Sequence, residues 1–189
     1  MIELIAGLVI FFSIHSISIF AMPFRNSMAE KNQILWKAFY SLLSLVGLVL
    51  LIRGYGEYRL SAPILYMPPM WLKHIAALLL VPFFIFMLAP YFPSAINKKI
   101  KHPQLIGVKL WATAHLLVNG SSADLILFGA FLFWAVTDRI SVKRRPVRDV
   151  PHIPENKGNI FIAVIGGLLL YVVFAMWLHG PLIGVRPFG

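Results

Sequence analysis

The sequence contains no cysteine among its 189 residues. This absence excludes disulfide bonds, thiolate metal ligands and cysteine nucleophiles. It also excludes covalent haem attachment through a C-x-x-C-H motif, and no H-E-x-x-H zinc motif is present either. Any metal or cofactor chemistry must therefore use other side chains, and histidine is the first to consider.

Acidic residues are scarce as well, with 7 Asp and Glu against 17 Lys and Arg, which gives a formal net charge of +10. Charged residues make up only 13% of the chain and apolar residues 59%. Soluble domains average about 25% charged and roughly 45–50% apolar residues. This composition indicates an integral membrane protein whose first partner is the lipid bilayer.

Six apolar runs account for the composition, at residues 2–22, 36–52, 71–89, 104–118, 124–137 and 160–178. The longer runs reach the length of about 20 residues that crosses the hydrocarbon core. The fourth and fifth are short, and the turn formed by residues 120–122 between them predicts a tight helical hairpin. We therefore predict an all-α polytopic membrane bundle of about six transmembrane helices, in one domain over residues 1–189.

Basic residues are concentrated in alternate loops, at residues 23–35, 90–103 and 138–159. By the positive-inside rule these loops face the cytoplasm, so the N-terminus and the C-terminus are both predicted to lie outside. The last loop contains Lys143-Arg144-Arg145 and Arg148 in a segment that we expect to be irregular. We interpret the basic run as an orientation signal that meets anionic headgroups, and we predict no nucleic-acid partner.

Histidines lie inside or at the edge of four apolar runs: His15, His74, His115 and His179. An imidazole in hydrocarbon needs a hydrogen-bond or metal partner, so these positions are candidates for a cofactor site. His15 lies deep in the first run, where neighbouring serines could supply one partner. His115 lies one turn before Asn119, which could orient its ring. These two histidines rank first.

The other histidines rank second. His74 and His179 are expected near the outer surface, where water can satisfy an imidazole, and His102 precedes Pro103 at the inner interface. A tetrahedral zinc would need three or four close ligands, and few acidic residues are near enough to help. His15 and His115 are offset along the bundle axis by roughly 10 Å at about 1.5 Å per residue. A haem between tilted helices could bridge that offset.

Several motifs resemble the NnrU family of bacterial membrane proteins, and the resemblance covers nearly the whole chain. They are KHPQLIG at 101–107, WATAHLLVNG at 111–120, His15-Ser16, Lys73-His74, FWAVTDR at 133–139 and His179-Gly180-Pro181. The resemblance implies a multi-pass protein of the bacterial inner membrane. It also implies a link to denitrification and nitric-oxide metabolism, with a hydrophobic or gaseous small molecule as substrate.

The 15-cis-zeta-carotene isomerases share this domain and bind haem b. Their two axial histidines carry over to His15 and His115, so the resemblance implies a haem b iron held by these residues, without covalent attachment. Their cysteine three residues before the second histidine is Ala112 in this chain. Ligand exchange through that cysteine is therefore excluded, and the resemblance supports haem binding better than isomerisation.

Three other functions remain open. A membrane transporter could use the histidines as a proton relay, and an assembly factor would need no cofactor. The His102-Pro103 pair is also similar to the Arg-His-Pro motif of membrane methyltransferases that use S-adenosylmethionine. Lys101 replaces the arginine, and no acidic residue follows Gly107 before Asp124, although those enzymes carry paired glutamates there. Methyl transfer is therefore the weakest alternative.

Overall fold

The computed structural model describes residues 1–146 and 151–187, so the predicted loop residue Arg148 lies outside the described part. The described residues form helices and connecting loops without strands, which confirms the all-α prediction. The helices are α1 (Ile2–Phe20), α2 (Met22–Lys31), α3 (Gln33–Tyr58), α4 (Leu72–Leu88), α5 (Ala95–Lys99), α6 (Pro103–Val118), α7 (Ser122–Ser141), α8 (Asn159–Val173) and α9 (His179–Ile183). A short 3-10 turn (Ala89–Tyr91) follows α4, and a π-helical turn (Phe174–Leu178) joins α8 to α9.

The six predicted apolar runs correspond to α1, α3, α4, α6, α7 and α8. Four helices are long and apolar enough to cross a membrane, namely Ile2–Phe20, Gln33–Tyr58, Leu72–Tyr91 and Asn159–Ile183. Helices α6 and α7 form the expected hairpin, with only residues 119–121 between them. The total of six spans and the outer position of both termini stay predictions.

Two segments differ from the sequence-based expectation. The first loop contains α2, a polar helix that begins with a proline in its first turn. The loop predicted to be irregular from residue 138 is helical as far as Ser141, because α7 continues past the apolar run. Arg145 then folds back and forms an ion pair with Asp138, and both side chains are largely buried. Arg145 is therefore engaged within the protein, whereas Lys143 and Arg144 are exposed.

The helices pack in a spatial order that differs from their order in the chain. Helix α1 packs mainly on α3, and α7 contacts α1. The hairpin joins α7 to α6, α6 packs on α4, and α4 packs on α8. Helices α6 and α7 therefore lie between the α1–α3 pair on one side and the α4–α8 pair on the other.

Glycines bring α1 and α3 into backbone contact. A Cβ atom on Gly7 would lie 2.6 Å from the backbone nitrogen of Leu51, and one on Gly47 would lie 2.8 Å from that of Phe11. A Cβ atom on Gly54 would come within 2.2 Å of the backbone nitrogen of Leu4. Small residues at membrane helix interfaces permit such close packing, and the resulting van der Waals contacts replace the hydrophobic driving force that lipid does not provide.

Polar side chains connect α3 to the start of α7. The Tyr55 hydroxyl donates to Oδ1 of Asp124 at 2.6 Å, and the hydroxyls of Tyr58 and Ser122 are 2.9 Å apart. Ser121 and Asp124 also form a reciprocal capping box at the N-terminus of α7. This box satisfies backbone N–H groups that have no acceptor within the helix. The buried carboxylate of Asp124 therefore stabilises both the helix start and the contact with α3.

The loop between α3 and α4 covers the turn of the α6–α7 hairpin. The backbone nitrogens of Leu65 and Tyr66 donate to the carbonyl oxygen of Gly120 at 2.7 and 3.2 Å. The Tyr66 hydroxyl donates to the carbonyl oxygens of Leu116 and Asn119 near the end of α6. A Cβ atom on Gly120 would lie 1.8 Å from the Tyr66 carbonyl oxygen. The hairpin turn therefore requires glycine at this position.

Substituting Gly54→Ala should destabilise the protein, because the added methyl group meets the backbone of α1. Overpacking of this kind costs about 1–3 kcal/mol. Gly56→Ala is the matched control, since nothing lies within 4 Å of a Cβ atom at that position of the same helix. Thermal unfolding in detergent should show a lower melting temperature for Gly54→Ala only. Equal melting temperatures for the two variants would contradict the close packing of α1 and α3.

Substituting Gly120→Ala should loosen the loop from the hairpin, because the methyl group displaces the Tyr66 carbonyl. Hydrogen exchange at the amides of Leu65 and Tyr66 should then become faster by an order of magnitude or more. Gly129→Ala in α7 is the control, because its added Cβ atom makes only an ordinary contact of 3.9 Å with Leu125. Unchanged protection in Gly120→Ala would show that the loop does not depend on this contact.

Candidate cofactor site

His15 is held in an aromatic environment within α1. Its Nδ1 atom donates to the carbonyl oxygen of Phe11 at 2.7 Å, and its ring stacks on that of Phe11 with centroids 4.0 Å apart. Tyr40 of α3 and Trp134 of α7 also contact the ring. The partner of Nδ1 is thus a backbone carbonyl, and the suggestion that a neighbouring serine supplies a partner for the ring stays a prediction. Ser16 accepts a hydrogen bond from Nε1 of Trp134 at 3.2 Å, which links α1 to α7.

His115 has the same local geometry in α6. Its Nδ1 atom donates to the carbonyl oxygen of Trp111 at 2.8 Å, and its ring stacks on Phe128 of α7 with centroids 4.5 Å apart. Asn119 is close, as predicted, but its Nδ2 atom donates to the backbone carbonyl of His115 at 3.0 Å. The expectation that Asn119 orients the ring is therefore wrong, because the carbonyl of Trp111 performs that role and Asn119 caps the end of the helix.

These hydrogen bonds determine which ring nitrogen can bind a metal. A carbonyl oxygen only accepts hydrogen bonds, so Nδ1 must carry the proton in both His15 and His115. In the neutral ring, Nε2 then keeps its lone pair. Histidines that ligate metals usually donate their other ring N–H group to a carbonyl or carboxylate, which fixes the orientation of the ring. Each imidazole could therefore bind a metal ion through the lone pair of Nε2.

His179 joins this arrangement from the C-terminal end. The π-helical turn precedes it, and its Nδ1 atom donates to the carbonyl oxygen of Val185 at 2.6 Å. Gly184, with φ of +78°, adopts the left-handed conformation that returns the chain towards this ring. The rings of His179 and His115 have centroids 6.5 Å apart and planes inclined by 15°. Of the predicted site histidines, the structure brings these two together.

In the described part of the chain, no ring contact joins His15 directly to His115. Phe131 of α7 instead contacts a neighbour of each histidine, with ring centroids 5.6 Å from Phe11 and 5.3 Å from Trp111. On the same helix, Trp134 contacts His15 and Phe128 contacts His115. These two positions differ by six residues, or about 9 Å of helical rise. The contacts of α7 with the two histidines are therefore separated by a distance similar to the axial offset expected from the sequence.

The other predicted site residues lie apart from these rings. His74 is exposed near the start of α4. His102 is the N-cap residue of α6, where burial lowers its pKa and the positive charge of Arg139 acts in the same direction. Within residues 1–146 and 151–187, no group of three or more His, Asp or Glu side chains could hold a metal ion. A haem iron with two histidine ligands does not need such a group.

The sequence contained a signal for the aromatic wall that motif reasoning did not use. Phe128, Phe131 and Trp134 follow one another at intervals of three residues on α7. Residues three apart lie on neighbouring parts of one helix face. This spacing indicates one aromatic stripe, and the structure places it against both His15 and His115.

We expect the cofactor-free protein to hold His15 and His115 protonated at Nδ1, because each donates from that atom to a backbone carbonyl, and neutral, because apolar surroundings disfavour the charged ring. Nitrogen-15 NMR in lipid nanodiscs should show Nε2 of both residues with the shift of an unprotonated nitrogen. The resonances can be assigned by their loss in His15→Asn and His115→Asn variants. Protonation of Nε2 in the major form of either ring would refute this hydrogen-bonding scheme.

Comparison with known proteins identifies the family of the chain. No curated protein and no solved structure matches the sequence. A family model described as NnrU protein matches residues 3–187, nearly the whole chain. The match includes α1 with His15, the hairpin with His115 and the C-terminal turn with His179. The chain therefore belongs to the NnrU family.

Proposed function

We propose that this NnrU-family protein is an inner-membrane protein that binds haem b, with His115 as one axial ligand. The observation that carries the proposal is the hydrogen bond from Nδ1 of His115 to the carbonyl of Trp111, which leaves Nε2 as a lone-pair donor. The surroundings suit a porphyrin, because Trp111 and Phe128 border the ring with apolar surfaces. The absence of cysteine requires non-covalent attachment.

Two histidines are candidates for the second axial position. The family resemblance implies His15, whose Nδ1 atom is anchored in the same way as that of His115. His179 is the alternative, because its ring lies near that of His115, with centroids 6.5 Å apart and planes inclined by 15° in a stacked orientation. To share one metal ion, either pair of imidazoles would need both Nε2 atoms directed at it.

The residues of the chain would orient and shield such a group. The carbonyls of Trp111, Phe11 and Val185 fix the rotation of the three imidazoles. The aromatic stripe of α7 presents apolar surface to both His15 and His115. Haem, if held by these residues, would supply redox chemistry and could bind a small ligand. The family resemblance suggests a role in nitric-oxide metabolism linked to denitrification, or in redox-type isomerisation of an isoprenoid, with an apolar or gaseous substrate.

An absorption spectrum of the protein purified in detergent from haem-supplemented cells tests this function. We expect a low-spin haem b spectrum, because two imidazoles occupy the axial positions. His115→Gly should abolish it, and added free imidazole should restore it by filling the vacated space. His152→Ala is the control, since His152 lies in an exposed loop. A low-spin spectrum that persists in His115→Gly without added imidazole would contradict the assignment of His115 as a haem ligand.

The same measurement identifies the second ligand. If His179 is the partner, His179→Gly should lose the low-spin bands and regain them with imidazole, whereas His15→Gly should keep them. The opposite pattern would establish the pair implied by the family resemblance. Retention of the bands in both variants would exclude bis-histidine ligation by these residues.

A further inference from the structure

A polar cavity lies beside the junction of α1, α2 and α3. Its volume is about 350 Å³, and it is open on one side. The residues that line it include Arg25 of α2 and five residues from the first turns of α3: Gln33, Trp36, Lys37, Tyr40 and Ser41. None of these residues contributes to the ring contacts of His115 and His179 described above. The cavity is therefore distinct from the His115–His179 pair and is connected to the surroundings of His15 through Tyr40.

The location of the cavity is the boundary between lipid and water. Helix α1 is a candidate span that ends at Phe20, and α3 is a candidate span that begins at Gln33. The polar helix α2 connects these two ends, so it lies at the membrane surface. Trp36, which is only 7% exposed, forms a wall of the cavity and contacts Phe24 of α2. Aromatic residues at this depth are typical of the headgroup region.

The cavity carries two basic side chains that form no ion pair with the residues the structure describes. Within the described residues, the ion pairs are those of Arg53, Lys98 and Arg145, so Arg25 and Lys37 take part in none. The Arg25 guanidinium donates one hydrogen bond to the amide oxygen of its neighbour Asn26 at 3.2 Å. Its remaining N–H groups, the Lys37 ammonium and the Gln33 amide are donors that suit the oxygens of an anion.

Two exposed apolar residues lie close in sequence to residues that line the cavity. Phe20 is 78% exposed at the end of α1, and Ile34 is 82% exposed beside Gln33. Side chains of this kind at the ends of membrane helices contact acyl chains. A ligand of this site would thus meet cationic donors inside the cavity and an apolar surface beside it. That combination matches an amphiphile better than a small soluble anion.

We infer that this cavity binds the phosphate group of an anionic phospholipid, with the acyl chains lying along Phe20 and Ile34. Arg25 and Lys37 neutralise the phosphate, and Gln33 and Ser41 offer further hydrogen bonds to the headgroup. Tyr40 borders the cavity and also contacts the ring of His15, with centroids 5.3 Å apart. The bound lipid would therefore lie next to the surroundings of His15. The inference depends on the cavity alone and stands whether or not haem is bound.

Native mass spectrometry of the full chain in detergent tests the inference, with phosphatidylglycerol, phosphatidylcholine and inorganic phosphate as probes. We expect one phosphatidylglycerol bound per chain with an affinity at least tenfold higher than that for phosphatidylcholine. The double variant Arg25→Gln, Lys37→Gln should lose that preference, because the attraction of anionic lipid scales with the number of basic groups. Lys31→Gln is the matched control, since Lys31 is in the same helix as Arg25 but does not line the cavity.

Two further comparisons separate charge from folding and lipid from free phosphate. The exchange variant Arg25→Lys, Lys37→Arg keeps both charges and should retain most of the preference for phosphatidylglycerol. Equal affinity for the two lipids in the wild type, or an unchanged preference in the double Gln variant, would overturn the inference. Inorganic phosphate that displaces the lipid at equal concentration would also overturn it, because the site would then bind a soluble anion.

Discussion

The direct backbone contact between α1 and α3 is the constraint on which the rest of the structure depends. Gly47 allows α3 to touch the backbone of Phe11, and the carbonyl of Phe11 holds the ring of His15. Because Gly47 has no side chain, α3 can lie against the backbone of Phe11, and Phe11 in turn orients the ring of His15 on α1. In lipid, where burial of apolar surface does not drive helices together, such contacts must come from shape. A methyl group at Gly47 would displace the acceptor that orients His15.

Helix α7 contacts both His15 and His115. Its N-terminal end carries Asp124, which bonds to Tyr55 of α3, and its aromatic stripe presents apolar surface to the two first-ranked histidines. Trp134 contacts the ring of His15 and also bonds to the hydroxyl of Ser16 in the next residue of α1. Because one helix touches both imidazoles, a change in its tilt or register would alter the surroundings of both.

The fold was largely predictable from the sequence, whereas the arrangement of the site was predictable only in part. Apolar runs anticipate helices because burial in lipid requires every backbone group to bond within its own segment. The ranking of His15 and His115 came from their depth in these runs, and both rings proved to be fixed by carbonyls. The approach of His179 depends on the π-helical turn and on Gly184, which hydrophobic periodicity does not reveal. The role of Asn119 depended on its side-chain rotamer, which spacing alone does not determine.

The hydrogen bonds between the α3–α4 loop and the hairpin turn have a consequence for the assembly of the protein. The ribosome completes residues 61–71 before it reaches Gly120, and chains assemble largely in the order of synthesis. The loop is therefore made before α6 and α7, the two hairpin helices, which are not among the four candidate spans. The N–H groups of Leu65 and Tyr66 and the Tyr66 hydroxyl bind the turn of this hairpin in the folded protein. The earlier half of the chain thus supplies the donors that hold the turn of a helical pair made later.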